Sequence, residues 1–134
     1  MDRIVLDTNV FLVSISRNSP FHWVFQKLMN EAYELCITTD ILLEYEEIIE
    51  QKMGSEASVA AVGVLENLDN VKYIDPHFQF KLLSDPDDNK FVDCAVAANA
   101  DYIVSEDSDF RMLRKIEFPT VKLIDVREFR KRMQ

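Results

Sequence analysis

Short apolar runs alternate along the chain with longer stretches of mixed polarity. Residues 3–6 form the first run, which ends in the polar residues Asp7-Thr8-Asn9. An apolar run of this length, bounded by polar residues, is typical of a strand buried on both faces. The same pattern predicts further strands over residues 35–38, 71–74, 102–105 and 121–124.

The stretches between the predicted strands carry signals for helix starts and stops. Ser19-Pro20 and Thr39-Asp40 precede helical patterns, and Asp125 with Glu128 three residues later forms a capping box. Gly54 is a natural stop at a helix C-terminus. The predicted helices cover residues 21–30, 41–53 and about 56–68, and two more begin near residue 87 or 88 and at residue 125.

Strands that alternate with helices imply right-handed crossovers, a parallel sheet and helices on both faces. We therefore predict an α/β fold with three layers, α/β/α, around a central parallel sheet. A chain of 134 residues is expected to form a single domain over residues 1–134. Ligands of such open sheets gather at the carboxyl ends of the strands, where Asp7 and Asp107 fall.

Composition excludes several classes of protein. Apolar residues make up 48% of the chain, which suits a globular core, and no apolar stretch approaches the ~18 residues of a membrane span. We expect a soluble, cytoplasmic protein without a membrane anchor. Cys36 and Cys94 belong to no Cys/His cluster, so neither a disulfide framework nor a zinc site is indicated. With Gly54 and Gly63 as the only glycines, neither a Rossmann fingerprint nor a P-loop is possible.

The charge is negative overall and unevenly distributed. The net charge is −9, but residues 111–134 carry 8 basic and 3 acidic side chains. An acidic body argues against a simple nucleic-acid-binding module, because affinity for phosphates comes from clustered Lys and Arg. The basic end at residues 127–132 fits either favourable charge at a helix C-terminus or an edge that steers phosphates.

Some of the acids stand in places that need a local explanation. Asp93 lies in an apolar helical segment, and an anion buried there requires protonation, a base distant in sequence or a metal ion. Glu44 fits the solvated face of a helix as well as a site, and Asp7 fits a helix cap as well as a site. Four acids at one sheet edge would repel one another unless a divalent cation neutralised them. Carboxylates and water suit Mg²⁺ or Mn²⁺, which can orient a phosphate and activate water.

Four sequence blocks carry a family resemblance: residues 4–9, the helix around Glu44, residues 88–95 and residues 103–110. Together they resemble the PIN-domain family, and in particular the bacterial VapC-like toxin ribonucleases, over nearly the whole chain. The resemblance implies an endoribonuclease dependent on Mg²⁺ or Mn²⁺, with an RNA substrate and an antitoxin protein as partner. The implied catalytic and metal-binding acids are Asp7, Glu44, Asp93 and Asp107, and the implied supporting residues are Asn9, Asp88, Ser105 and Asp109.

Other functions remain open at this stage. A non-catalytic PIN-like module that binds RNA or protein would retain the same acids. A small-molecule phosphatase is also compatible with an Asp at a strand end, although the haloacid dehalogenase class has a second acid where this chain has Asn9. A calcium loop beginning at Asp85 is disfavoured, because its sixth position is Lys90 and its twelfth is Val96. The resemblance further implies a homodimer formed through residues 41–68.

Overall fold

The computed structural model describes all residues from 1 to 134 and contains one sheet of five parallel strands. The strands lie in the order β3-β2-β1-β4-β5, so β1 occupies the centre and the chain crosses over to the other side between β3 and β4. Helices cover both faces, which confirms the predicted three-layer α/β/α fold. The strands are β1 (Arg3–Leu6), β2 (Glu34–Ile37), β3 (Val71–Tyr73), β4 (Tyr102–Val104) and β5 (Leu123–Ile124).

Six α-helices and two 3-10 helices connect the strands. The predicted start signals are present, since the Asp125 side chain accepts a hydrogen bond from the Glu128 amide at 2.8 Å. Thr38 was predicted to end β2 but caps the next helix instead, because its hydroxyl accepts from the Ile41 amide. The α-helices are α1 (Thr8–Ile15), α2 (His22–Met29), α3 (Thr39–Met53), α4 (Ser55–Asn67), α5 (Asn89–Ala98) and α6 (Val126–Arg132), and the 3-10 helices are Pro86–Asp88 and Ser108–Lys115.

The sequence pattern gave no separate signal for α1. Only Asp7 lies between β1 and this helix, and its eight residues cover little more than two helical turns, too few for a clear helical period. Its buried ring of Phe11 stacks on the ring of Tyr45 from α3, with centroids 4.4 Å apart. The helix is therefore defined by tertiary packing, which local periodicity does not report.

The carboxyl end of β1 is held in place from two sides. Leu6 pairs with Val104 of β4, and the next amide, that of Asp7, donates to the Val104 carbonyl at 3.0 Å. The buried Tyr45 hydroxyl donates to the Leu6 carbonyl at 2.5 Å. Asp7 and Ser105 consequently leave adjacent strands at the same height on the carboxyl edge.

The irregular chain before α5 is tied to that helix by two side chains. Asp93 accepts a hydrogen bond from the Phe80 amide at 3.0 Å, and Asn89 accepts from the Leu83 amide at 2.9 Å. Asn89 and Asp93 are one helical turn apart and share a face of α5. The backbone amide of Phe80 is thus a polar partner for the buried Asp93 carboxylate.

The basic end of the chain lies away from the carboxyl edge. Asp125 caps α6 just after β5, and the helix then runs back along the sheet. Near its end, the Arg132 guanidinium lies 5.1 Å from the ring centre of Tyr102, the first residue of β4. The interpretation of residues 127–132 as an edge that steers phosphates toward the strand ends is therefore not supported. None of the helices is both long and apolar enough for a membrane span.

Tyr45→Phe should destabilise the protein, because it leaves the buried Leu6 carbonyl without its hydroxyl donor. The expected loss in the free energy of unfolding is about 1–3 kcal/mol, which lowers the melting temperature by several degrees. Tyr73→Phe is the matched control, since the Tyr73 side chain is 53% exposed. Thermal unfolding of both variants checks this, and equal melting temperatures would contradict the role of the Tyr45 hydroxyl.

Candidate metal centre

Asp7 is the innermost acid at the carboxyl edge and is only 6% exposed. Its Oδ2 accepts a hydrogen bond from the Ser105 hydroxyl at 2.8 Å. Burial raises the pKa of the Asp7 carboxyl, the Ser105 hydrogen bond opposes that rise, and the nearby Asp107 and Glu44 charges add to it. The Ser105 hydroxyl therefore orients the Asp7 carboxyl.

Three further carboxylates converge beside Asp7. Asp88 lies at the start of α5, and Asp107 and Asp109 lie in the turn after β4. That turn is shaped by local hydrogen bonds: the Asp107 amide donates to the Ser105 hydroxyl at 3.0 Å, and the Asp109 amide donates to Asp107 Oδ1 at 2.9 Å. One carboxylate oxygen from each of Asp88, Asp107 and Asp109 lies within 4.8 Å of the other two.

The electrostatics of this acidic triad favour a cation. Partial burial raises the pKa of Asp88 to about 7, and the charges of Asp85, Asp7, Asp107 and Asp109 contribute further to the rise. Oxygen ligands of Mg²⁺ lie about 3 Å apart at adjacent positions and about 4.2 Å apart at opposite ones, so the three carboxylates can hold one ion after rotation of their side chains. Asp88, Asp107 and Asp109 therefore fit a hard divalent cation in both geometry and charge.

Glu44 is also near Asp7, but its carboxylate has protein partners. The Lys90 ammonium lies 2.7 Å from Glu44 Oε1, and the Thr8 hydroxyl donates to Glu44 Oε2. Glu44, Lys90 and Asp93 line a groove of about 780 Å³ next to the carboxyl edge. The sequence predicted Glu44 as an acid of the site but gave no indication of its pairing with Lys90.

Asp93 does not join the acidic triad. It is five residues from Asp88 along α5, which places the two side chains roughly 140° apart around the helix. Asp93 faces the segment that contains Phe80, whereas Asp88 faces the turn after β4. Its apolar surroundings made Asp93 the prominent candidate for a metal ligand in the sequence. In the structure, Asp88 at the start of α5 is the residue of this segment that lies at the carboxyl edge of the sheet. Asn9 is exposed, with no hydrogen bond from its side chain.

A basic feature that sequence reasoning did not single out borders the triad. Arg111 and Arg114, in the 3-10 helix after β4, line a cleft of about 140 Å³ together with Asp107. Neither guanidinium forms an ion pair within 4.0 Å. The two ion pairs of the chain are Arg3–Glu34 and Lys90–Glu44. The two arginines follow Asp107 at helical spacing, which is the signal that would have identified them.

The part of the sequence that contains these acids matches a known family. The profile of the PIN domain aligns with residues 3–109, which include Asp7, Glu44, Asp88 and Asp107. The chain belongs to the PIN-domain family. None of the curated proteins compared with this PIN domain matches it significantly by sequence.

Solved structures share the PIN fold at low sequence identity. The structure of VapBC2 from Rickettsia felis bound to a promoter DNA fragment matches with a TM-score of 0.64 and 15% identity, over 92% of this chain and 98% of that one. Mycobacterium tuberculosis VapC20, described as a toxin that cleaves the sarcin-ricin loop, matches with a TM-score of 0.60 and 12% identity, over 81% and 92%. DNA-bound VapBC from Salmonella typhimurium matches with a TM-score of 0.58 and 21% identity, over 93% and 98%.

Asp88→Asn should stabilise the metal-free PIN domain at high pH. The pKa of Asp88 rises from 3.8 to about 7 on folding, so its contribution to stability falls as the pH increases between those values and stays reduced above pH 7. The neutral amide lacks this penalty. In EDTA, we expect the variant to melt above the wild type at pH 8, and the difference to be much smaller at pH 4.5.

The matched control is Asp87→Asn, which removes one charge from the exposed neighbour of Asp88. This control should melt like the wild type at both pH values. A variant Asp88→Asn that is destabilised equally at pH 4.5 and pH 8 would contradict the electrostatic account of the triad.

Proposed function

We propose that this PIN domain is a metal-dependent endoribonuclease and the toxin component of a toxin-antitoxin pair. The observation that carries the proposal is the convergence of Asp88, Asp107 and Asp109 beside the buried Asp7. Hydrolysis of a phosphodiester needs a cation to neutralise the phosphate and a base to accept a proton from water. The carboxyl edge offers ligands and a base within one small volume.

The similar structures support the RNA substrate and the partner. VapC20 is described as cleaving the sarcin-ricin loop, and the Rickettsia and Salmonella structures are VapBC assemblies bound to DNA. By analogy, we propose that this chain cleaves RNA and is held by an antitoxin. The expected cytoplasmic location follows from the same proposal.

The proposed ion is Mg²⁺ or Mn²⁺, held by Asp88, Asp107 and Asp109, with the Asp7 carboxyl beside these ligands. An ion bound there would neutralise a phosphate oxygen and lower the pKa of a coordinated water. Ser105 fixes the orientation of Asp7 through its hydrogen bond to Oδ2. Asp88 and Asp109 accept no hydrogen bond from the protein, so their oxygens are available as ligands.

The chain's own groups account for proton transfer in the proposed reaction. Asp7 is the proposed base, because burial raises its pKa and so favours uptake of a proton. As the water oxygen bonds to phosphorus, its proton passes to Asp7. The bond from phosphorus to the leaving oxygen breaks on the opposite side, that oxygen takes a proton from a solvent water, and Asp7 afterwards returns its proton to solvent.

The flanking arginines give the RNA backbone a binding edge. Arg111 and Arg114 lie beside Asp107 and have no acidic partner within 4.0 Å. Guanidinium groups bind phosphate oxygens with two parallel hydrogen bonds. We propose that the phosphate next to the scissile one contacts this pair, which offsets the repulsion between RNA and an acidic protein.

Self-association through residues 41–68 stays a prediction. Of the apolar side chains on α4, Leu65 is buried within the chain, whereas Val59 is 73% exposed. On α3, Leu43 is 57% exposed. With Met53, which is 40% exposed, these are the large apolar side chains of the region that remain available for contact with a second copy.

Substitution of Asp88 and of Asp93 shows which of the two carboxylates the cleavage reaction needs. On a mixed RNA pool with Mn²⁺, Asp88→Asn should reduce the cleavage rate by roughly 100-fold or more, because loss of even an outer-shell partner costs 10–100-fold. Asp93→Asn keeps an oxygen acceptor for the Phe80 amide and should cleave at a rate near that of the wild type. Loss of cleavage in Asp93→Asn, with cleavage near the wild-type rate in Asp88→Asn, would instead assign the metal-binding role to Asp93, as the family resemblance implies.

The same assay separates the alternative functions. No cleavage by either the wild type or Asp88→Asn would favour the non-catalytic PIN-like module. Equal, metal-independent cleavage by both would reject the metal-dependent mechanism. Turnover of p-nitrophenyl phosphate without RNA cleavage would favour a small-molecule phosphatase.

A further inference from the structure

The pairing of Lys90 with Glu44 is unusual for this chain. It is one of only two ion pairs within 4.0 Å, and the other, Arg3–Glu34, lies on the opposite edge of the sheet at 3.8 Å. The Lys90 side chain is 21% exposed and the Glu44 side chain 26%. A close pair that is largely withdrawn from water is stronger than an exposed one, because solvent screens it less.

Both carboxylate oxygens of Glu44 are occupied by protein groups. Oε1 lies against the Lys90 ammonium, and Oε2 accepts the hydrogen bond from the Thr8 hydroxyl. Asp88 and Asp109 differ in this respect, since the protein donates no hydrogen bond to either carboxylate. The acids near Asp7 therefore form two groups: an open triad on one side, and on the other a glutamate already neutralised by an ammonium.

Asp7 lies between these two groups. Its carboxylate accepts a hydrogen bond from the Ser105 hydroxyl, which in turn accepts one from the Asp107 amide, and the next residue, Thr8, donates to Glu44. In nucleases that use two metal ions, the ions are about 3.5–4 Å apart and stabilise the attacking and leaving oxygens from either side. A second ion here would require Glu44 as a ligand, at the position where Lys90 already supplies a positive charge.

We propose that Lys90 takes the place of a second metal ion, so that the centre works with one divalent cation and one ammonium. The inference rests on the proposed metal centre at Asp88, Asp107 and Asp109. The Lys90 ammonium has three N–H donors, of which Glu44 accepts one, and Lys90 lines the groove of about 780 Å³. Lys90 thus contacts a phosphate oxygen of the RNA while Glu44 and Thr8 fix its position.

The number of bound Mn²⁺ ions tests this directly. Calorimetric titration of the full chain, with bound Mn²⁺ counted independently by electron paramagnetic resonance, should give one ion per chain for the wild type. Lys90→Met removes the ammonium and frees a carboxylate oxygen of Glu44, so the stoichiometry should rise to two. Two ions in the wild type would overturn the proposal, and so would one ion in Lys90→Met.

Lys81→Met is the matched control, because Lys81 lines the same groove but forms no ion pair. Its stoichiometry should remain one, and a rise to two would show that any lost positive charge has this effect, which overturns the specific role of Lys90. The outcome is separable from that of the proposed function. Absence of RNA cleavage with a change from one to two ions refutes only the activity, whereas the absence of Mn²⁺ binding refutes the metal centre and the Lys90 role together.

Discussion

Repulsion between carboxylates gathered at the carboxyl edge of a parallel sheet is the constraint on which the rest of this structure depends. Parallel strands bring Asp7 and the turn containing Asp107 to one edge, and the start of α5 adds Asp88. Water cannot fully solvate these groups, so each charge raises the cost of the others. Protons, an internal cation or a bound metal ion therefore stabilise this edge.

The charges of neighbouring carboxylates at this edge are compensated in different ways. Glu44 is neutralised by Lys90, and the charge of Asp7 is partly compensated by the Ser105 hydroxyl. Asp88 has no such partner, and partial burial together with the neighbouring acidic charges raises its pKa to about 7. This difference explains why an ion is expected at the triad and not at Glu44.

Much of the fold could be predicted from the sequence, because buried strands and capped helices leave local signals. The runs at residues 3–6 and 102–105 correspond to β1 and β4, and the capping residues at the start of α6 act as expected. Helix α1 had no comparable signal, since its register is set by packing of Phe11 on Tyr45. The predicted bounds of β5, residues 121–124, were too wide, since only Leu123–Ile124 pairs with β4.

The site was harder to predict, because it depends on which face of α5 meets the sheet edge. A buried Asp93 indicated a metal ligand, yet a backbone amide distant by 13 positions supplies its hydrogen bond. That amide belongs to an irregular segment whose path no local pattern specifies. Asp88 seemed a minor residue in the sequence, and only the three-dimensional arrangement brings it to Asp107 and Asp109.

The most direct measurement is the position of the ion itself. Crystals of the protein grown with MnCl₂ allow the metal to be located by anomalous scattering at the manganese absorption edge. We expect one strong peak within bonding distance of Asp88, Asp107 and Asp109, with the Lys90–Glu44 pair intact. A peak bound by Glu44 and Asp93, with the triad unoccupied, would contradict this expectation.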